Sequence, residues 1–378
     1  MVVNLASIKQ RILWLNWRDI RNPDAGGAEV FTHEVAKRLV RLGWSVTLFT
    51  SAFSHAKPED EIDGVEIIRK GGRFGVYRKA RDYCGKYEED FDIIIDEINT
   101  RPFMTPRFVR ARPIIALIHQ LAREYWFYET PWPVSWVGYF YLERSWLSTY
   151  RRTRTVTVSE STKKDLIQWG FTDVHVVPEG LSVPVASEVP KKEPTPTLLF
   201  VGRLKRVKKP DHAIRAYRLV RETIPNARLW ILGDGYMRKG LERIAGDGVT
   251  LKGRVEDSMK IELMTRAHVL VFPAVREGWG LSITESNARG TPAVAYDVPG
   301  VRDAISNGDT GLLVARDNWK ALGEAACRLL RDQHLREEMA AKALKFASKF
   351  SWDKTCTQFA KICESALNPN YQLPRADY

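Results

Sequence analysis

Short apolar runs alternate with segments of helical periodicity along the chain, and this alternation constrains the fold more than any other feature. Residues 12–17 are apolar, and residues 28–42 then carry apolar positions at helical spacing until Gly43 ends the pattern. Strands that alternate with helices form crossover units, which build parallel sheets. The predicted strands are 12–17, 45–50, 65–69, 91–96, 113–119, 155–159, 174–177, 197–201, 227–232, 249–251, 268–272, 293–296 and 312–314.

The alternation breaks once, at residues 186–196, which hold three prolines and few large apolar side chains. Such a composition is typical of a linker between domains. The sequence therefore predicts a first Rossmann-like domain over residues 1–185 and a second over residues 197–350. Residues 351–378 form a helical tail in this interpretation. In doubly wound sheets ligands bind beyond the carboxyl ends of the strands. Two such domains therefore predict a binding site in the cleft between them.

Composition bounds the function further. The chain has 378 residues, 44% of them hydrophobic, and a formal net charge of +12. No apolar run approaches the roughly 18 residues that a spanning helix needs, and the four cysteines show neither metal-site nor disulfide spacing. We therefore expect a globular cytoplasmic protein with acidic partners. Nucleotide diphosphates and anionic lipid surfaces fit that charge, as does a generally basic surface, whereas no nucleic-acid-binding motif accompanies it.

Two glutamates frame a glycine-interrupted segment, residues 277–281, which we call the glycine loop. Glu277 follows an apolar strand, and Glu285 lies on the helix that the loop opens. Gly278 and Gly280 lack Cβ atoms, so a ligand can approach the backbone amides of the first helical turn, where the helix dipole favours an anion. Glu285 can accept hydrogen bonds from a diol such as ribose. The competing interpretation is a surface helix with two solvated carboxylates.

Other candidate residues also follow predicted strands. Gly26 and Gly27 join the first strand to the first helix, where paired glycines accommodate either a diphosphate or an ordinary tight turn. Arg203 and Lys208 follow the strand at 197–201 and could stabilise the charge that grows on a diphosphate leaving group. A solvated basic loop is the alternative. His119 ends a predicted strand and is a candidate for contact with a donor sugar.

Residues 124–154 concentrate aromatic side chains and end in a group of arginines. Amphipathic aromatics beside basic residues suit a bilayer interface, and anionic head groups add about 1 kcal/mol per basic residue near the surface. The same composition is compatible with an aromatic core or a protein-binding face. We expect peripheral membrane association through Tyr125–Arg154 and a lipid-linked acceptor.

In combination these motifs are similar to those of family 4 retaining glycosyltransferases. Gly26–Gly27, His119, Gly202–Arg203 with Lys208, and Glu277 to Glu285 occur in the order and spacing of that family. The resemblance implies a GT-B fold, in which two Rossmann-like α/β domains face each other across a cleft and the tail crosses back to the first domain. It implies an acceptor on the first domain, a nucleotide-sugar on the second, and metal-independent transfer with retained configuration.

The resemblance also implies roles for individual residues. Arg203 and Lys208 would hold the diphosphate with help from Gly26 and Gly27, and Glu285 would bind the ribose. Glu277 would bind sugar hydroxyls, and His119 would contact the sugar near its reacting carbon. Amides of the glycine loop would contact sugar and phosphate, at Gly278, Trp279, Gly280 and Leu281. The donor would be a UDP- or GDP-sugar, with no separate cofactor and no metal ligands.

Two positions depart from the pattern of the family. Glu179 precedes Gly180 where relatives often have asparagine, and Lys209–Pro210 follows Lys208 where glycine is common, so either lysine could bind phosphate. Two other functions remain compatible with the sequence. One is a nucleotide-sugar epimerase of similar layout, and the other is a non-catalytic basic protein that binds membranes or nucleic acid.

Overall fold

A computed structural model describes residues 10–368 of the chain, which divide into two compact units. The first unit contains residues 10–122, Gly138–Gly180 and 352–368, and the second contains Arg123–Val137 and Leu181–Ser351. Each unit is built on one sheet, as the repeated alternation of strand and helix patterns predicts.

The described strands are β1 (Arg11–Leu15), β2 (Ser45–Thr50), β3 (Glu59–Ile62), β4 (Val65–Arg69), β5 (Ile93–Glu97), β6 (Ile114–Leu117), β7 (Arg154–Thr157), β8 (Val174–Val176), β9 (Thr197–Val201), β10 (Arg228–Leu232), β11 (Val249–Gly253), β12 (Val269–Phe272), β13 (Ala293–Tyr296) and β14 (Gly311–Val314). The described α-helices are α1 (Gly27–Arg41), α2 (Val76–Tyr87), α3 (Tyr125–Glu129), α4 (Val134–Val137), α5 (Glu143–Ser148), α6 (Glu160–Gln168), α7 (Pro210–Thr223), α8 (Arg238–Ile244), α9 (Asp257–Arg266), α10 (Leu281–Asn287), α11 (Val301–Ala304), α12 (Trp319–Arg331), α13 (Gln333–Ala347) and α14 (Trp352–Leu367).

The sheet of the first unit has the order β3-β4-β2-β1-β5-β6-β7-β8, and all its pairings are parallel except β3 with β4. Its central strands are almost continuously buried, and β5 is buried at all five positions, as expected for a sheet covered on both faces. Helix α14 packs in this unit beside α1. Trp14 of β1 stacks on Phe359 of α14 with ring centroids 5.2 Å apart.

The sheet of the second unit is entirely parallel, with the order β11-β10-β9-β12-β13-β14. Helix α7 begins at Pro210, where the missing N–H of proline costs no intrahelical hydrogen bond. Because the strands are parallel, their carboxyl ends lie at one edge of the sheet, and Arg203 follows β9 at that edge.

The sequence located the parallel strands within a few residues but missed β3 and α2. It also placed the boundary between the domains at residues 186–196, whereas the compact units meet in sequence at Gly180 and Leu181. Residues 186–196 pack on the second unit, because Lys192 donates to the backbone oxygens of Thr265 and Arg289. Arg123–Val137, which the prediction gave to the first domain, also belongs to the second unit.

Candidate functional site

Lys208 and Glu277 form an ion pair in the second unit, although 69 positions separate them in sequence. Both side chains are largely buried, at 17% and 11% exposure. Burial alone would lower the pKa of Lys208, but the Glu277 carboxylate outweighs it and raises the pKa. Lys208 is therefore charged at neutral pH. Arg203 is exposed and lies within electrostatic range of the Lys208 ammonium, whose pKa it acts to lower.

Lys209 has a different environment from its neighbour. Its ammonium pairs with Asp317 and lies 5.3 Å from the ring centroid of Tyr128. The residue is buried and caps the start of α7 in the left-handed conformation. These contacts hold Lys209 in the packing around α7, whereas Lys208 pairs with Glu277 of the glycine loop.

Glu285 lies on α10 and is 5% exposed. Its Oε1 accepts a hydrogen bond from Lys260 of α9 at 3.0 Å. Burial lowers the pKa of Lys260, but Glu285 outweighs this effect and raises it, so the pair is ionic. Sequence reasoning missed Lys260, because its partner lies 25 positions away on another helix and no motif joins the two.

The segment after β13 packs against the glycine loop and holds it in place. Glu277 donates its backbone N–H to Pro299, and a Cβ on Gly300 would lie 2.1 Å from the Glu277 carbonyl oxygen. Gly300 also has φ +81°, so no other residue fits there without strain. Gly280, with φ +105°, caps α10, which is only seven residues long. The Trp279 side chain is buried edge-to-face on Phe350, so in this unit the indole is a packing group.

Further polar residues surround the glycine loop, and the sequence analysis missed them. Arg276 precedes Glu277 and donates to Glu124 at 3.0 Å, while the Tyr125 hydroxyl donates to the Arg276 carbonyl. Arg316 also pairs with Glu124 at 3.4 Å. Arg276 is next to Glu277 in sequence, which was a usable signal, but nothing in the sequence indicates that Glu124 folds onto the second unit.

His119 lies in the first unit between two buried carboxylates. Its Nε2 is 3.3 Å from Glu97 Oε1, and its Nδ1 is 3.5 Å from Glu179 Oε1. Burial lowers the pKa of His119, but the Glu179 and Glu97 carboxylates outweigh it and raise the pKa to about 9. The Phe31 ring packs edge-on against the imidazole at 5.1 Å. His119 is therefore a fixed imidazolium at neutral pH.

Gly26 and Gly27 begin α1 in the same unit. The Gly26 N–H donates to Glu29 Oε2 at 2.6 Å, and Arg18 donates to Glu29 Oε1 at 3.0 Å. Gly27 is exposed at the first helical position. The predicted site residues are thus divided between the two units. Lys208, Glu277, Arg203 and Glu285 lie in the second unit, and His119, Gly26 and Gly27 lie in the first.

Family models match both halves of the chain. Residues 25–183 match the model described as Glycosyltransferase Family 4, and residues 186–346 match the model described as Glycosyl transferases group 1. The chain belongs to glycosyltransferase family 4. The expected fold class is also confirmed, since two parallel-sheet α/β domains are the GT-B architecture.

Individual members of the family resemble the chain over different lengths. A D-inositol 3-phosphate glycosyltransferase from Corynebacterium urealyticum is 32% identical over 44% of this chain and 42% of its own. A phosphatidyl-myo-inositol mannosyltransferase from Mycobacterium leprae is 27% identical over 56% of this chain and 58% of its own. These alignments span about half the length of the curated relatives. The structure of sucrose-phosphate synthase from Thermosynechococcus elongatus superposes with a TM-score of 0.78 at 18% identity, covering 96% of this chain and 100% of that one, which shows a shared fold.

Proposed function

We propose that the protein transfers a sugar from a nucleotide-sugar to an acceptor, with retention of the anomeric configuration. The observation that carries the proposal is the Lys208–Glu277 ion pair, with Arg203 in electrostatic range, at the carboxyl edge of the second sheet. This arrangement offers two cations to a diphosphate and one carboxylate to sugar hydroxyls. The Glu285 carboxylate on α10 can accept hydrogen bonds from a ribose diol.

In this proposal a bound donor replaces the Lys208–Glu277 contact, and each side chain then contacts the donor. A bound diphosphate would draw the Lys208 ammonium from Glu277, which frees the carboxylate to accept hydrogen bonds from the sugar. As the glycosidic bond breaks, negative charge grows on the leaving phosphate, and cations already in place stabilise it without reorganisation. The leaving phosphate would accept the proton of the acceptor hydroxyl as that hydroxyl attacks on the same face. In this mechanism no protein side chain forms a covalent bond to the sugar.

Turnover of nucleotide-sugars tests the proposal. Purified protein is incubated with UDP-, GDP-, ADP- and dTDP-sugars and a panel of acceptors, and released nucleoside diphosphate is measured. We expect nucleoside diphosphate to be released from a UDP- or GDP-sugar. Because a charge-assisted hydrogen bond contributes about 1.5–3 kcal/mol, Arg203→Ala and Glu285→Ala should each bind the donor at least about tenfold more weakly. Arg243→Ala and Glu222→Ala, exposed in the same unit, are the matched controls. Failure to consume any donor, or unchanged donor affinity in both site variants, contradicts the proposal.

For the acceptor we propose a lipid-linked or membrane-associated glycan. The support is a set of exposed aromatic side chains within a short stretch of sequence, at Trp132 (79% exposed), Trp136 (55%), Phe140 (45%) and Tyr141 (70%). Arg144, Arg151 and Arg152 follow them and are also exposed. The name of the mannosyltransferase from Mycobacterium leprae indicates a membrane lipid as its acceptor.

Between residues 10 and 368 the structure contains no helix that combines the length and the apolar character needed to span a bilayer. We propose interfacial binding through Trp132 and Trp136, because both indoles are exposed. Vesicle co-sedimentation at low salt tests it. We expect anionic vesicles to retain the protein and Trp132→Ala/Trp136→Ala to release it, while Trp319→Ala, a half-buried tryptophan of α12, has no effect. Equal retention of the double variant would remove the proposed membrane contact.

A further inference from the structure

Three arginines gather at one edge of the first unit's sheet. Arg18 follows β1, Arg73 follows β4, and Arg101 follows β5. Strands β4, β2, β1 and β5 are consecutive neighbours in the sheet and are all parallel. Their carboxyl ends therefore lie at the same edge, where ligands bind in sheets of this kind.

Aromatic rings fix the positions of the three guanidinium groups. The Arg18 Cζ lies 4.7 Å and the Arg73 Cζ 5.8 Å from the ring centroid of Trp17. The Arg101 Cζ lies 4.2 Å from the ring centroid of Tyr77. A guanidinium that stacks on a ring keeps its N–H groups available in the plane of the stack, so these contacts leave the donors of Arg73 and Arg101 unused.

The hydroxyl of Tyr77 shows that the three arginines converge. Burial raises the pKa of Tyr77 to about 12, Arg101, Arg18 and Arg73 act to lower it, and the Asp96 carboxylate acts to raise it. Each guanidinium is therefore close enough to interact with the same phenol. Within residues 10–368 the Tyr77 hydroxyl makes no hydrogen bond, so it is a further donor at the centre of the cluster.

The three arginines carry more positive charge than the carboxylates paired with them neutralise. The donors of Arg18 are already used, since its Nε and Nη2 lie 3.0 and 2.9 Å from Glu29 Oε1 and its Nη1 donates to the Asp24 carbonyl oxygen at 2.7 Å. Arg73 and Arg101 are exposed, and neither pairs with a carboxylate in the part of the chain that the structure describes. Both guanidinium groups are therefore open to an anionic ligand.

The loop before α2 joins Arg73 to the helix that carries Tyr77. Gly71 has φ +78°, and a Cβ there would lie 2.7 Å from the Gly75 carbonyl carbon, so the loop closes tightly on itself. Helix α2 starts directly after it and is twelve residues long. The Val76 N–H at its first position donates to the Gly72 carbonyl oxygen at 3.1 Å, so the loop is tied to the first turn of the helix that carries Tyr77.

We propose that Arg73 and Arg101, with the Tyr77 hydroxyl and in the positive field of Arg18, bind a phosphoryl group carried by the acceptor substrate. This proposal rests on the glycosyltransferase function proposed above, because it assigns the acceptor chemistry to the first unit. Arginine forks match the oxygens of a phosphoryl group in bidentate geometry, which a neutral sugar hydroxyl cannot exploit. The phosphoryl group could belong to a free cyclitol or sugar phosphate, or to the head group of a lipid.

Calorimetric titration of the intact protein distinguishes phosphoryl recognition from general sugar binding. Inositol 1-phosphate and myo-inositol are the soluble probes, and vesicles with and without phosphatidylinositol are the lipid probes. The variants are Arg73→Gln/Arg101→Gln and Tyr77→Phe, and Arg78→Gln, exposed next to Tyr77 on α2, is the matched control. We expect a phosphorylated probe to bind at least tenfold more tightly than its counterpart and the double variant to lose at least tenfold, while Arg78→Gln changes affinity less than twofold.

The results distinguish a free phosphate from a lipid head group, and they distinguish failure of the acceptor proposal from failure of the donor function. Loss confined to the soluble probe assigns a free phosphate, and loss confined to vesicles assigns a lipid head group. Equal binding of phosphorylated and unphosphorylated probes, or equal loss in Arg78→Gln, overturns the proposal. A parallel titration with UDP and GDP keeps the two proposals distinguishable. If a nucleotide binds both wild type and double variant while no phosphorylated probe is preferred, only the acceptor assignment fails; if no nucleotide binds, the donor function fails as well.

Discussion

Glu179→Gln tests how the first unit keeps His119 charged, because it removes one of the two carboxylates beside the imidazole while preserving the shape of the side chain. Glu179 is 5% exposed, and its Oε1 is 3.5 Å from His119 Nδ1. Glu97 on the other side is held independently, since it accepts hydrogen bonds from Trp14 Nε1 at 2.8 Å and Thr32 Oγ1 at 2.5 Å. The substitution should therefore leave the Glu97 contact intact.

The magnitude follows from the pKa of His119. A rise from 6.5 to about 9 corresponds to about 3 kcal/mol of preference for the charged imidazole in the folded protein. With one of two carboxylates gone, we expect about half of this, roughly 1–2 kcal/mol, to be lost and the pKa to fall by about one. Because the folded pKa is raised, this stabilisation is complete below about pH 6.5 and disappears as the pH rises through about 9.

The assay is an NMR titration of ring-labelled histidine, with His119→Gln to assign the signal among the seven histidines. Urea unfolding at pH 6 and above pH 9.5 gives the energetic counterpart. We expect Glu179→Gln to be less stable than wild type at pH 6 and the two to converge at high pH, and we expect Glu61→Gln, exposed on β3, to change neither measurement. A His119 pKa near 6.5 in wild type, or an equal stability loss at both pH values, would refute this reasoning.

Two glycine substitutions test the packing around the candidate residues. Gly300→Ala should push the new Cβ into the Glu277 carbonyl, cost about 1–3 kcal/mol and weaken nucleotide binding in calorimetry. Gly308→Ala is the control, because Gly308 has φ +87° but no atom lies within 4 Å of a Cβ added there. An equal loss of nucleotide binding in Gly308→Ala would mean that backbone strain alone is responsible. Gly180→Ala should displace Trp352, whose backbone nitrogen would lie 2.4 Å from the new Cβ, and lower the melting temperature of the first unit. The control Gly85→Ala, open within α2, should be neutral or stabilising, and an unchanged melting temperature in Gly180→Ala would contradict the packing described.

The alternation of strands and helices was sufficient to predict both parallel sheets, because burial on two faces leaves long apolar runs that local sequence reveals. Motif spacing likewise placed Lys208 and Glu277 on the same unit, and the structure pairs them. The contacts of Glu285 and Glu124 could not be predicted, since Lys260 and Arg276 reach them from elements with no fixed spacing in sequence.

Some signals were present in the sequence but were not used. Val76, Ala80 and Cys84 recur at helical spacing after Gly71, Gly72 and Gly75, and the structure forms α2 at this position. The strand β3 gave no such signal, because its charged residues lie at the edge of the sheet and only its pairing with β4 defines it. The packing of the predicted linker, residues 186–196, could not be predicted either, since nothing in the sequence indicates that Lys192 donates to Thr265 and Arg289.

The most direct test of the account is a structure of the intact protein with a bound UDP- or GDP-sugar. The account predicts that Arg203 and Lys208 contact the diphosphate, that Glu277 has exchanged Lys208 for sugar hydroxyls, and that Glu285 accepts hydrogen bonds from the ribose. A nucleotide bound elsewhere, with the Lys208–Glu277 ion pair undisturbed, would contradict it.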